Sequence, residues 1–169
     1  MKRFFNIHCK GKRYVQIQYK KDFFTFASTM NARNTLIIAG ISGAVCVTLG
    51  AMGAHALKNH LSMENLETFE TAVRYQFYHT FALILVVILS EKIQSKLLNY
   101  ASALFIAGII LFSFSLYFLA LRPVMDIGNE EMKWIGAITP LGGLSFILAW
   151  LMLTFASLKS DNQFIRKHL

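Results

Sequence analysis

The sequence predicts an all-α protein: a four-helix transmembrane bundle with both termini in the cytoplasm. Three observations carry that prediction. The chain is 55% hydrophobic and only 15% charged, with a mean hydropathy of +0.47, more apolar than a soluble domain of ordinary composition. Its charges are clustered, and four apolar stretches between the clusters are each long enough to cross a bilayer, which takes about 20 residues. The connections also alternate in sign. The turn 91–96, the end carrying Arg33 and the C-terminal tail are net positive, whereas the connections after the first and third stretches are net negative. The positive-inside rule then places both ends in the cytoplasm. At 169 residues this is one domain.

Residues 1–29 differ from the rest of the chain. They hold seven Lys/Arg and one Asp, a net +6, while the remainder carries +2. Basic flanks of this kind need only the positive-inside effect, so nucleic acid is not an expected partner. Val15, Ile17 and Tyr19 alternate with polar residues, a weak strand pattern with no sheet to join. We expect a basic, disordered leader, with Met30 as an alternative start because MNARNTLIIAGISG reads as a bacterial-style membrane N-terminus. The membrane domain is expected over 30–159.

Span 1 is expected over 34–57. Its glycines Gly40, Gly43, Gly50 and Gly53 cost helix propensity in water but allow close helix approach in lipid. Gly40, Gly43, Gly50 and Ala54 form a stripe expected to face a neighbour. Residues 59–71 read as the aqueous start of the second helix, with Ser62 as N-cap. Span 2 occupies 72–90, and Glu70 and Arg74 have the favourable i, i+4 order for an ion pair. Span 3 is expected over 97–121, stopped by Arg122-Pro123 because proline disfavours helix at the preceding residue. Span 4 is expected over 134–158, opening at the interface-type residue Trp134 and carrying Gly142 and Gly143. Residues 160–169 form a polar, basic cytoplasmic tail.

With the spans threaded this way, polar side chains gather in the outer half of the bundle. Intramembrane ionisable residues are costly, about 2.5 to 3.5 kcal/mol at a helix centre, and point into a bundle or wet cavity. We therefore expect an outward-facing polar pocket lined by His55, Arg74, Tyr75, His79, Ser115 and Tyr117. Gly50, Gly53, Gly142 and Gly143 are expected to pack the helices below it, and Pro140 to free a carbonyl in span 4. Simpler roles stand beside that reading. Arg74 can snorkel to the surface and pair with Glu70, His79 can be a satisfied buried histidine, and Ser113 and Ser115 can bond to carbonyls one turn back. Cys9 and Cys46 fall in different layers, too far apart for a disulfide. No Cys/His spacing reads as a zinc site, and His55 and His79 differ in depth, against a haem-ligating pair. No metal or cofactor is expected.

Four ordered motifs, GAMGAHALK (50–58), FETAVRYQFYHTFALI (69–84), FSFSLYFLAL (112–121) and GAITPLGGLSFILAW (136–150), resemble the domain of unknown function 423 family of small bacterial inner-membrane proteins. The resemblance covers about residues 33–158 and implies a four-helix integral membrane fold with no assigned biochemical activity. Phe114 stands where the family pattern implies a glycine between two serines.

These readings lead to a multi-pass protein of the bacterial inner membrane, in contact with the lipid bilayer. The expected role is structural or interactive, toward a membrane-protein partner or a second copy. The alternative is a transporter-like protein binding a small solute or proton in the outer pocket, weakened by apolar inner halves and by the lack of inverted repeats. An enzyme is not expected, since no nucleophile, base or carboxylate pair is placed for one.

Overall fold

The structure is a computed structural model and describes residues 30–127 and 133–168. The expected leader 1–29 lies outside the described residues. The described chain is helical throughout apart from its turns, and four of its helical stretches are long and apolar enough to cross a membrane.

Span 1 consists of α1 (Ala32–Met52) and a π turn, Gly53–Leu57. Asn31 caps α1 by accepting from the Asn34 amide at 2.9 Å. Span 2 is α2 (Met63–Ser90). It begins where Ser62 Oγ accepts from the Asn65 amide at 3.3 Å, with Glu64 in the first turn complementing the positive helix end. Span 3 is α3 (Lys96–Gly108), a π turn Ile109–Phe114, and α4 (Ser115–Leu121). It ends just before Arg122-Pro123. Span 4 lies in α5 (Lys133–His168), which contains Pro140 and remains helical beyond residue 158.

Spans 2 and 3 form the centre and spans 1 and 4 the flanks. The most apolar windows of spans 2 and 3 are 39% and 44% buried, against 17% and 22% for spans 1 and 4. Span 1 packs on span 2, span 2 on span 3, and span 3 on span 4. Such outer helices present apolar faces to lipid, as Ile41, Val47, Ile147 and Phe155 do.

The periodicity of α2 explains its central place. Phe69, Ala72, Gln76, His79, Leu83 and Val86 are all buried and alternate in steps of three and four, the heptad spacing of a left-handed helix seam. Arg74, Phe77, Tyr78 and Phe81 fall on the opposite, exposed face. One apolar cluster, built on Ala39, Leu83, Leu98, Phe105 and Phe146, fills the half of the bundle near the 91–96 turn. A second, built on Leu57, Leu61, Phe69, Ala72 and Ala120, fills the other end.

Span 3 changes phase partway along. A π turn inserts an extra residue into the helix, rotating the segment beyond it by about 100°. The turn Ile109–Phe114 lies against span 4 at its tightest point. A Cβ at Gly142 would meet the Phe112 amide nitrogen, stand 2.7 Å from Phe112 Cβ and 2.8 Å from the Leu111 carbonyl carbon. Glycine there is required by backbone contact. Gly108 is required by a ring, since the Phe146 side chain lies across its missing Cβ.

Candidate functional site

Between the two apolar clusters lies a layer of hydrogen bonds joining three spans. Gln76 is its hub and is 1% exposed. Its Nε2 donates to the Ser42 carbonyl at 3.0 Å and lies 3.4 Å from Ser42 Oγ. Its Oε1 accepts from the Tyr117 hydroxyl at 2.9 Å. One turn further along α2, the Thr80 hydroxyl is 2.7 Å from Ser42 Oγ. Cys46, one turn beyond Ser42 on α1, donates its thiol to the Val73 carbonyl at 3.3 Å. A carboxamide suits this position because it both donates and accepts without a charge to desolvate. Tyr117 also packs its ring on Phe69, with centroids 5.0 Å apart.

A second cluster faces span 4. The imidazole of His79 lies parallel to the Phe146 ring, with centroids 3.4 Å apart and 3° between planes. Its Nδ1 is 2.7 Å from the Tyr75 carbonyl. A carbonyl only accepts, so Nδ1 carries the proton in this contact. Phe105 and Trp150 complete the aromatic surround at 5.7 Å and 6.5 Å, and Tyr75 packs on Phe112 at 4.6 Å. A third contact links spans 3 and 4. Ser115 Oγ donates to the Phe112 carbonyl at 2.8 Å and lies 2.7 Å from the Thr139 hydroxyl.

The six residues expected to line one pocket are thus distributed. Tyr75 and His79 stand together in the aromatic cluster, Tyr117 joins Gln76, and Ser115 joins Thr139. His55, in the first π turn, and Arg74 are exposed at the surface. The Arg74 guanidinium donates to Thr71 Oγ1 at 3.0 Å, taking this hydroxyl rather than the Glu70 carboxylate. Ser115 does bond to a carbonyl behind it, but Ser113 does not. Its hydroxyl is fully buried without a partner among the described residues.

The glycines divide in the same way. Gly142 is the contact point just described, and Gly53 meets the Phe69 ring at 3.2 Å from a Cβ position. Gly43, Gly50 and Gly143 make ordinary van der Waals contact with Thr80, Val73 and Phe112, while Gly40 faces open space. The stripe expected on span 1 therefore leaves the helix seam at its Gly40 end. No group of three His, Cys, Asp or Glu side chains that could hold a metal ion occurs among the described residues.

Gln76, Ser42 and Thr80 were outside the sequence expectation, which concentrated on ionisable and aromatic residues. One signal pointed to Gln76: it occupies the heptad seam of α2 among Ala72, His79 and Leu83. Beside this layer, between spans 1 and 3, an apolar groove of ≈ 210 Å³ opens sideways, with Ile38, Ile41 and Val45 on one wall and Ile106, Ile110 and Phe114 on the other. Ser42 and Gln76 lie at its floor.

A family profile described as "Protein of unknown function (DUF423)" matches residues 49–143. The chain is 37% identical over 125 residues to the UPF0382 membrane protein YwdK of Bacillus subtilis, covering 73% of this chain and 95% of that protein. It is 39% identical over 124 residues to a UPF0382 membrane protein of Staphylococcus epidermidis, covering 73% and 94%. It is 37% identical over 127 residues to a UPF0382 membrane protein of Haemophilus influenzae, covering 75% and 95%. No solved structure matches the chain.

Proposed function

The chain belongs to the DUF423 family and is a multi-pass membrane protein; from that premise we propose that it is a non-enzymatic structural or interaction protein of the bacterial inner membrane, with both termini in the cytoplasm. One observation carries the reading: the polar layer bonds to itself while the flanks stay open. Gln76, Ser42, Thr80 and Tyr117 satisfy one another across three spans, and His79 is capped by Phe146. That arrangement supports a role in holding the bundle together, with the candidate polar residues as fastenings. The outer faces of spans 1 and 4, and the groove between spans 1 and 3, are apolar surface of the kind a further transmembrane helix packs against. The inner-membrane assignment follows from α-helical spans in a bacterial family, and the orientation from the net positive 91–96 turn and Arg33.

The test is copurification of the full chain from native membranes in a mild detergent, with quantification of what elutes with it. The expected result is a stoichiometric membrane-protein partner or a stable homo-oligomer. A monodisperse monomer whose melting temperature rises with a small solute overturns the proposal and supports a transporter-like role.

A further inference from the structure

The end of the bundle where spans 2 and 3 are joined carries a second depression, of ≈ 260 Å³, between that turn and the end of span 4. Its lining has two characters. Ile93, Leu97 and Ala156 give it an apolar wall, and Ser95, Lys96 and Lys159 give it a polar rim. The two lysines come from different spans, and neither makes an ion pair within 4.0 Å among the described residues. Lys159 is the first charged residue after the uncharged apolar run 134–158, and Lys96 is the last before the uncharged apolar run 97–121. Both therefore stand at the level where hydrocarbon gives way to head groups.

Local electrostatics sharpen the point. Lys96 is the first residue of α3, whose first turn contains no acidic residue. A cation at a helix N-terminus adds to the positive end of the helix dipole. Ser95 Oγ is already engaged, accepting from the Leu97 amide at 3.3 Å. In the adjoining turn Glu91 and Lys92 offset one another. Two cations and a helix end thus converge on one amphipathic hollow, and a single anion complements all three. The apolar wall beside them argues that the anion carries a hydrocarbon chain. Basic hollows between transmembrane helices on the cytoplasmic side bind anionic lipid head groups in this way.

We propose that this depression binds the phosphate of an anionic phospholipid, with Lys96 and Lys159 on the phosphate and Ile93, Leu97 and Ala156 against the root of an acyl chain. This site is separate from the polar layer; it rests on the orientation proposed above and not on the interaction role.

The test uses the full-length chain in nonionic detergent and measures retained lipid by native mass spectrometry during titration with phosphatidylglycerol or phosphatidylcholine. Wild type binds phosphatidylglycerol in preference, and added salt weakens the binding. The double variant Lys96→Gln/Lys159→Gln binds phosphatidylglycerol about 30-fold more weakly, since each surface lysine is worth about a fivefold factor toward anionic lipid. Its binding of phosphatidylcholine is unchanged. Lys92→Gln, which removes the same kind of charge outside the hollow, keeps most of the preference. The exposed positions of Lys92, Lys96 and Lys159 leave folding intact, read as an unchanged elution profile. Equal phosphatidylglycerol binding by wild type and the double variant overturns the proposal, as does an equal loss in Lys92→Gln. Displacement of the lipid by inorganic phosphate as readily as by phosphatidylglycerol also overturns it, in favour of a soluble anion.

Discussion

Replacing Gln76 with methionine tests the polar layer at its hub. The side chains are close in volume, so the change removes hydrogen bonds with little change in packing. Two interhelical links are broken, to Ser42 on span 1 and to Tyr117 on span 3. Interhelical hydrogen bonds in membranes average about 0.6 kcal/mol and reach about 1.7, so Gln76→Met costs roughly 1–3 kcal/mol. Part of that loss comes from the Tyr117 hydroxyl, left buried and unpaired. Tyr117→Phe alone breaks one of these links and should cost about half as much, roughly 0.6–1.7 kcal/mol, and it strands Gln76 Oε1. The double variant removes both members of the pair, and exchange of both partners for apolar groups is much closer to neutral. Its loss should therefore fall short of the sum of the single losses by about 1 kcal/mol. The assay is denaturant unfolding in detergent micelles, followed by tryptophan fluorescence and run on all four proteins. Additivity within about 0.3 kcal/mol would refute the claim that Gln76 and Tyr117 act as a pair.

Two further predictions concern spans 3 and 4. Gly142→Ala forces a methyl group against the backbone of Phe112 and Leu111 and should destabilise the protein by about 1–3 kcal/mol, as overpacking does. Gly40→Ala, with nothing within 4 Å, should be neutral or slightly stabilising, and equal melting temperatures for the two variants would sink the packing account. Ser113→Ala removes a buried hydroxyl that has no partner and should raise stability by about 1 kcal/mol. A lower melting temperature would mean that the hydroxyl is satisfied.

The four spans were legible because a bilayer imposes a length and a composition that soluble folds do not. Ser62 as a helix cap and Pro123 as a stop were legible for local reasons, each acting within a turn of its own position. The site was harder to read. Reading RYQFYH by the cost of charge in lipid drew attention to Arg74 and His79, yet Arg74 lies on the exposed face of α2 and the neutral Gln76 holds the centre. Rotational phase decides between them, and the run 69, 72, 76, 79, 83, 86 contained that phase. The π turn in span 3 was not legible. An extra residue in a helix leaves no mark in composition, and neither does the difference between Ser115, which bonds to a carbonyl behind it, and Ser113, which does not. A Cβ at Gly142 would meet the Phe112 backbone, whereas nothing lies within 4 Å of one at Gly40, and a glycine stripe along an isolated helix says nothing of where the neighbouring helix diverges.

Ser42 also has a consequence for how deeply the first helix sits. Its hydroxyl touches Thr80 and lies near Gln76, while its carbonyl accepts from Gln76, so one residue engages two successive rungs of α2. Sliding span 1 by a single residue shifts it about 1.5 Å along its axis and turns it by about 100°, which breaks every one of these contacts together. Lipid chains exert little preference among small vertical displacements of an apolar helix, and most of span 1 faces them. Ser42 therefore works as a detent, fixing the insertion depth of the least buried span to one setting.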